Sequence, residues 1–149
     1  MGNKIVILED NLDRQTIMNR YLAERFSMFD VEIFDESSAM IQYLDQNLNE
    51  TLAISLDNDL ELKPGPDGRM IDPGSGIEVA EYLATKPAVC PVVIHTTNTN
   101  AAVSMTSALA DAGWRIRRVV PFDDMNWIAT SWASAIRRSI VGPVARKPS

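Results

Sequence analysis

Four carboxylates stand where short apolar runs stop: Glu9 and Asp10 follow Ile5-Val6-Ile7-Leu8, and Asp57 and Asp59 follow Leu52-Ala53-Ile54-Ser55-Leu56. Residues two apart on a strand share a face with roughly 7 Å between their backbones, so Asp57 and Asp59 can share one ion if the strand persists. Carboxylates crowded in this way either take up a proton or are neutralised by a cation. Oxygen donors without thiolates select a hard ion, Mg²⁺ first, with Mn²⁺ or Ca²⁺ as alternatives. The spacing of Asp57, Asp59 and Glu61 lacks the glycine and distal glutamate of a helix–loop–helix calcium site. A plainer alternative leaves Asp59 and Glu61 as solvated charges and Asp10 as a helix cap.

His95, the sole histidine, closes another apolar run, Val92-Val93-Ile94, and is followed by Thr96-Thr97-Asn98. Its imidazole suits a general acid, a general base or a metal ligand, because its ordinary pKa lies near 6.5; a buried ring bonded to a backbone carbonyl is the competing role. Thr96, Thr97 and Asn98 open a helix whose free amides and hydroxyls suit a phosphate. Ordinary capping by Asn98 or Thr99 accounts for the same composition.

The elements that must position these groups follow from periodicity. The chain has 149 residues, 46% of them apolar, enough for one globular core. Apolar runs at residues 5–8, 52–56 (broken only by Ser55) and 92–94 read as buried strands, 31–34 as a strand nearer an edge, and 115–120 as a fifth. Helical spacing falls at 13–26, at 39–44 after a helix start in 35–38, at 77–85, 101–112 and 123–140. Strands alternating with helices require an α/β fold with a single doubly wound, five-stranded parallel sheet. Flavodoxin-like order 2-1-3-4-5 is the expectation, with helices on both faces and ligands at the carboxyl ends of the first and third strands. The domain is expected over residues 1–141. Residues 61–76, rich in glycine and proline, form an inserted loop of a length more usual for a functional lid than for a connector. Residues 142–149 are expected to form a flexible tail.

Over about residues 4–140 the chain resembles a response-regulator receiver domain, through Glu9-Asp10, Asp57, Gly76-Ile77-Glu78, Thr96, Ala112-Gly113 and Pro121. That resemblance implies Mg²⁺ held by the acidic pair and Asp57, with Asp57 as phosphoacceptor. Two features depart from it: Val120 stands where receivers carry lysine, and the loop after the acceptor is replaced by Asn58-Asp59 and the insertion. The chain is more similar to the cyclic-phosphate-processing receiver family, in its Asp-x-Asp at Asp57 and Asp59 and its His-Thr-x-Asn at residues 95–98. The resemblance implies phosphoesterase-type hydrolysis of a cyclic phosphate, a phosphorylated nucleotide or an RNA end. Glu9 with Asp57 and Asp59 is also similar to a Toprim arrangement, which binds Mg²⁺ for phosphodiester chemistry. On this reading Glu9, Asp10, Asp57 and Asp59 hold Mg²⁺ or Mn²⁺, His95 and Asp59 are catalytic, and Thr96, Thr97 and Asn98 bind phosphate. The alternatives are a stand-alone signalling receiver phosphorylated on Asp57, or a degenerate receiver that only binds a ligand or partner.

Fourteen basic against 20 acidic residues give a net charge of −6, which disfavours broad DNA or anionic-membrane binding but not a small phosphorylated ligand. No apolar run approaches a membrane span, and a cytoplasmic location is expected. Cys90 is the only cysteine, which excludes an intrachain disulfide and a thiolate cage. Arg115, Arg117 and Arg118 are expected to form a solvated patch at the end of the sheet away from the acids. The last helix, with Trp127, Ile128, Trp132 and Ile136, is a candidate homodimer face.

Overall fold

The computed structural model describes residues 2–122 and 124–145, with side chains through residue 141. Its first half runs β1 (Lys4–Leu8), α1 (Leu12–Arg25), β2 (Asp30–Phe34), α2 (Ser37–Asn47) and β3 (Thr51–Leu56). A hairpin, β4 (Lys63–Pro64) and β5 (Met70–Ile71), precedes α3 (Gly76–Leu83), β6 (Val92–His95), α4 (Thr99–Asp111) and β7 (Ile116–Val119). A π-helical turn (Ile128–Trp132) then leads into α5 (Ala133–Ala145).

The main sheet is parallel throughout, in the order β2-β1-β3-β6-β7, which is the expected 2-1-3-4-5 once the separate hairpin is set aside. Alternation along each strand feeds two cores. Val6, Leu8, Ile54, Leu56 and Ile94 pack beneath Met40, Val79, Leu83 and Met105; Ile5, Ile7 and Val93 pack against Met18, Leu22, Trp127 and Trp132. These strands are buried on both faces, which is why they read as near-continuous apolar runs.

Three expectations are corrected. The insertion is not wholly irregular: Lys63 pairs with Ile71 and Pro64 with Met70, which two residues at a sheet edge permit because proline forfeits only its own donor. The face carrying Trp127, Ile128, Trp132 and Ile136 is fully buried against this chain's own sheet and α1, so it offers no dimer surface. The last helix continues to Ala145, past the predicted start of the tail, and residues 146–149 lie outside the described residues. Cys90 packs half-buried against the first core, where burial pushes its thiol up to about 12. Among the described residues no helix is long and apolar enough to cross a membrane.

Candidate metal and phosphate site

Parallel register brings the chemistry together. Leu8 pairs with Leu56 and Leu56 with Ile94, so the next residue on each strand, Glu9, Asp57 and His95, falls side by side on three neighbouring strands. All three share the parity of Ile5, Ile7 and Val93, and so point to the face covered by α1 and the π turn. Ligand atoms of these three residues all lie within 4.8 Å of one another.

His95 is fully buried and both ring nitrogens are engaged. Nε2–H donates to Glu9 Oε1 at 3.0 Å, and Nδ1 lies 2.7 Å from Ser55 Oγ, which also accepts from Trp132 Nε1–H at 3.0 Å. The Ser55 hydroxyl serves either state of the ring, donating to a neutral Nδ1 or accepting from a protonated one. The Trp127 ring stacks on the imidazole, with centroids 5.9 Å apart. His95 therefore sits behind the carboxylates and not on the cavity wall, where it was expected to meet substrate.

Glu9 is also fully buried; its Oε2 accepts from Asn11 N–H at 3.0 Å. Burial alone would raise its pKa, but the His95 hydrogen bond and charge, the Asn11 amide and Arg14 outweigh it and hold Glu9 below the usual range. Asp57 goes the other way. Burial, with the charge of Glu9 added, pushes it up to about 6, although His95, the Asn58 amide and Arg14 pull down.

In front of this trio opens a cavity of about 350 Å³ lined by Asp10, Arg14, Asp57, Asp59, Thr96 and Thr97 among others. Asp10 and Asp59 thus stand at its rim, apart from the tight cluster. Asp10 Oδ2 accepts from Glu61 N–H at 2.6 Å, while Asp59 receives the side-chain amides of Asn58 at 2.9 Å and Asn98 at 3.2 Å. Asn98 takes the capping role read for it, since its Oδ1 accepts from Ala101 N–H at the start of α4, 3.0 Å away. The Thr96 hydroxyl accepts from Asn98 N–H at 3.1 Å and Thr97 is exposed. A larger cleft of about 520 Å³ near Arg115, at the opposite end of the sheet, has no comparable group of ionisable side chains among the described residues.

The insertion is pinned at its base. Asp59 bridges Ser75, Asn58 O accepts from Gly76 N–H at 3.1 Å, and Asn58 Oδ1 accepts from Ile77 N–H at 3.1 Å. Lys63 then ties the hairpin to Asp35 at 2.9 Å and Glu36 at 3.0 Å. A Cβ at Gly76 would lie 2.0 Å from the Asp57 carbonyl oxygen, so only glycine lets α3 begin this close to the site.

The sequence reading missed two contributors and misplaced a third. Arg14 Nη1 lies 3.7 Å from Glu9 Oε1 and 4.0 Å from Asp57 Oδ2, an internal counter-charge in a crevice expected to depend on a bound cation alone. Its signal was a basic residue in the first turn of a helix, where the macrodipole disfavours it. Ser55 was visible as a lone hydroxyl in an apolar strand. Arg118, expected at the far end of the sheet, pairs in register with Ile94, and its Nη2–H donates to Thr96 O at 2.7 Å; β7 is short enough that this side chain reaches the site end.

The donor set suits a hard divalent ion. The carboxylates of Asp57, Asp10 and Asp59 reach the cavity, and the Glu9 charge lies directly behind Asp57. Among solved structures, the chain is similar to a phosphorylated cyanobacterial phytochrome response regulator, RcpA, with TM-score 0.71, 18% identity and 96% of each chain covered. It is also similar to the Mn²⁺-bound form of response regulator Rcp1, with TM-score 0.64, 17% identity, and 92% of this chain and 93% of that one covered. A receiver domain from Rhodospirillum rubrum gives TM-score 0.61 and 20% identity over 97% of this chain and 95% of that one. At these identities the likeness establishes the fold. No curated protein matches the chain. A family model described as cyclic-phosphate processing Receiver domain matches residues 5–111, the span that carries every carboxylate, the histidine and the threonines of the site, and the chain belongs to that family.

Proposed function

We propose that the chain uses Mg²⁺ or Mn²⁺ in this crevice to hydrolyse a cyclic phosphate, on a nucleotide or an RNA end. The observation that carries the reading is the register-locked trio Glu9, Asp57 and His95 behind a cavity whose rim adds Asp10, Asp59, Thr96 and Thr97. Asp57, Asp10 and Asp59 would hold the ion, which when bound supplies Lewis-acid polarisation of a phosphoryl oxygen and of water. The chain's own residues do the rest. Thr96, Thr97 and Asn98 orient the phosphate at the start of α4. His95 holds Glu9 in its ionised form, and that charge behind Asp57 adds to the negative field a cation would meet. In the reaction, water forms a new P–O bond while one ring P–O bond breaks, and the proton that water gives up passes to the leaving oxygen; Asp59, at the rim, would relay it. The inserted loop, held at Asn58 and Lys63, shields the mouth. Incubation with adenosine 2′,3′-cyclic phosphate and Mg²⁺ tests the reading. Product lost with EDTA and in Asp59→Asn supports it; no turnover of any cyclic phosphate with Mg²⁺ or Mn²⁺ overturns it.

A second reading, a signalling receiver phosphorylated on Asp57, is favoured by one observation: Asp57 ends the central strand with its carboxylate on the cavity wall beside Thr96. Acetyl phosphate with Mg²⁺, followed by intact-mass measurement, separates the two. A stable phosphoryl adduct absent in Asp57→Asn favours signalling.

A further inference from the structure

We infer that Arg14 is the residue that grips a phosphoryl oxygen in the cavity, turning to the ligand once a divalent cation sits on Asp57. This rests on the metal-dependent reading above. Arg14 is the one basic side chain among the residues lining the cavity. Its neighbours are committed elsewhere: Lys63 to Asp35 and Glu36, and Arg118 to the Thr96 carbonyl.

Arg14 itself is held without being spent. Its contacts with Glu9 and Asp57, at 3.7 and 4.0 Å, are charge pairs too long for hydrogen bonds, and its Nε is buried with no acceptor among the described residues. What fixes it is the Trp127 ring, 5.1 Å below the guanidinium carbon. A side chain with five donors is thus kept at a cavity wall, one-quarter exposed, with donors to spare.

Position adds a second argument. Arg14 lies in the first turn of α1, where the helix dipole repels a cation and attracts an anion. The carboxylates offset that repulsion. A divalent ion on Asp57 weakens their hold and repels the guanidinium, while a phosphate beside the ion offers charged acceptors that guanidinium geometry matches. Helix start and Arg14 then act on the same anion.

Titration calorimetry with saturating Mg²⁺, using inorganic phosphate and adenosine 2′,3′-cyclic phosphate as probes, tests the assignment. Arg14→Gln is expected to weaken both anions about 10- to 100-fold while Mg²⁺ uptake stays equal or tightens, and Arg14→Lys to recover part of the loss. In the unaltered chain, anion addition after Mg²⁺ should change tryptophan fluorescence as the guanidinium leaves Trp127, a change absent in Arg14→Gln. Arg14→Gln with full anion affinity and normal Mg²⁺ uptake overturns the assignment and leaves the hydrolase reading standing. Loss of Mg²⁺ uptake in that variant also overturns it, making Arg14 a support for the carboxylates. A natural chain that binds neither anion with Mg²⁺ and turns over no cyclic phosphate overturns both.

Discussion

His95 Nε2 lies 3.0 Å from Glu9 Oε1, and neither side chain touches solvent. Removing one member leaves the other buried without its partner, the costly way to break such a pair. His95→Ala is therefore expected to lower unfolding free energy by about 3 kcal/mol, read as a lower urea midpoint at unchanged slope. Glu9→Gln keeps an acceptor for Nε2–H and should lose only about 1 kcal/mol. Equal losses in the two variants would show that the pair contributes nothing specific.

Asp57 makes stability pH-dependent in a defined direction. Its folded pKa of about 6 lies above its ordinary 3.8, so the folded chain holds the extra proton between those values and this contribution falls as pH rises through that window. Above it, the ionised Asp57 costs about 3 kcal/mol. Asp57→Asn should be more stable than the natural chain at pH 7.5 by up to that amount and nearly equal at pH 4. Thermal unfolding at the two pH values decides.

On the proposed metal reading, protons and a divalent ion compete for the Asp57 carboxylate. Mg²⁺ is expected to raise the melting temperature at pH 7.5 and to lose most of that effect at pH 5, where Asp57 is largely protonated. A pH-independent shift would place the ion elsewhere.

Gly76→Ala drives a methyl group to 2.0 Å from the Asp57 carbonyl oxygen, which forces α3 or the end of β3 to move. A loss of about 1–3 kcal/mol is expected, together with weaker Mg²⁺ uptake. Uptake equal to that of the natural chain would separate α3 from the site.

Trp132→Phe keeps an aromatic ring but deletes the Nε1–H that reaches Ser55 Oγ at 3.0 Å and leaves a small cavity where the rest of the buried indole was. The expected cost is about 2–3 kcal/mol. With Ser55→Ala it should be less than additive in a double-mutant cycle, because both changes break one buried chain to His95. Strict additivity would mean that the two residues act separately.

The strands were legible because burial on both faces demands unbroken apolar runs such as Ile5–Leu8 and Val92–Ile94, and the carboxylates were legible because such runs end abruptly in acid. The Asn98 cap followed from a local backbone need, whereas Gly76 was legible only through the family resemblance and its close approach to Asp57 came from the fold. Arg14 and Ser55 were not singled out, since an arginine in a helix and a serine in a strand look ordinary until something lies opposite them. The tryptophans read as core or as an exposed face equally well, because periodicity names a face and not what covers it.

Composition and periodicity by themselves determined a parallel α/β sheet with acid at the ends of its first and third strands, since strand parity and helix spacing are local properties of the chain. Only the tertiary structure decided that Glu9, Asp57 and His95 form the inner trio while Asp10 and Asp59 stand at the rim. It alone turned His95 inward to Ser55 and set Arg14 against two carboxylates. Those relations depend on the register between strands distant in sequence and on which helix covers which face, and both are settled by packing across the whole core.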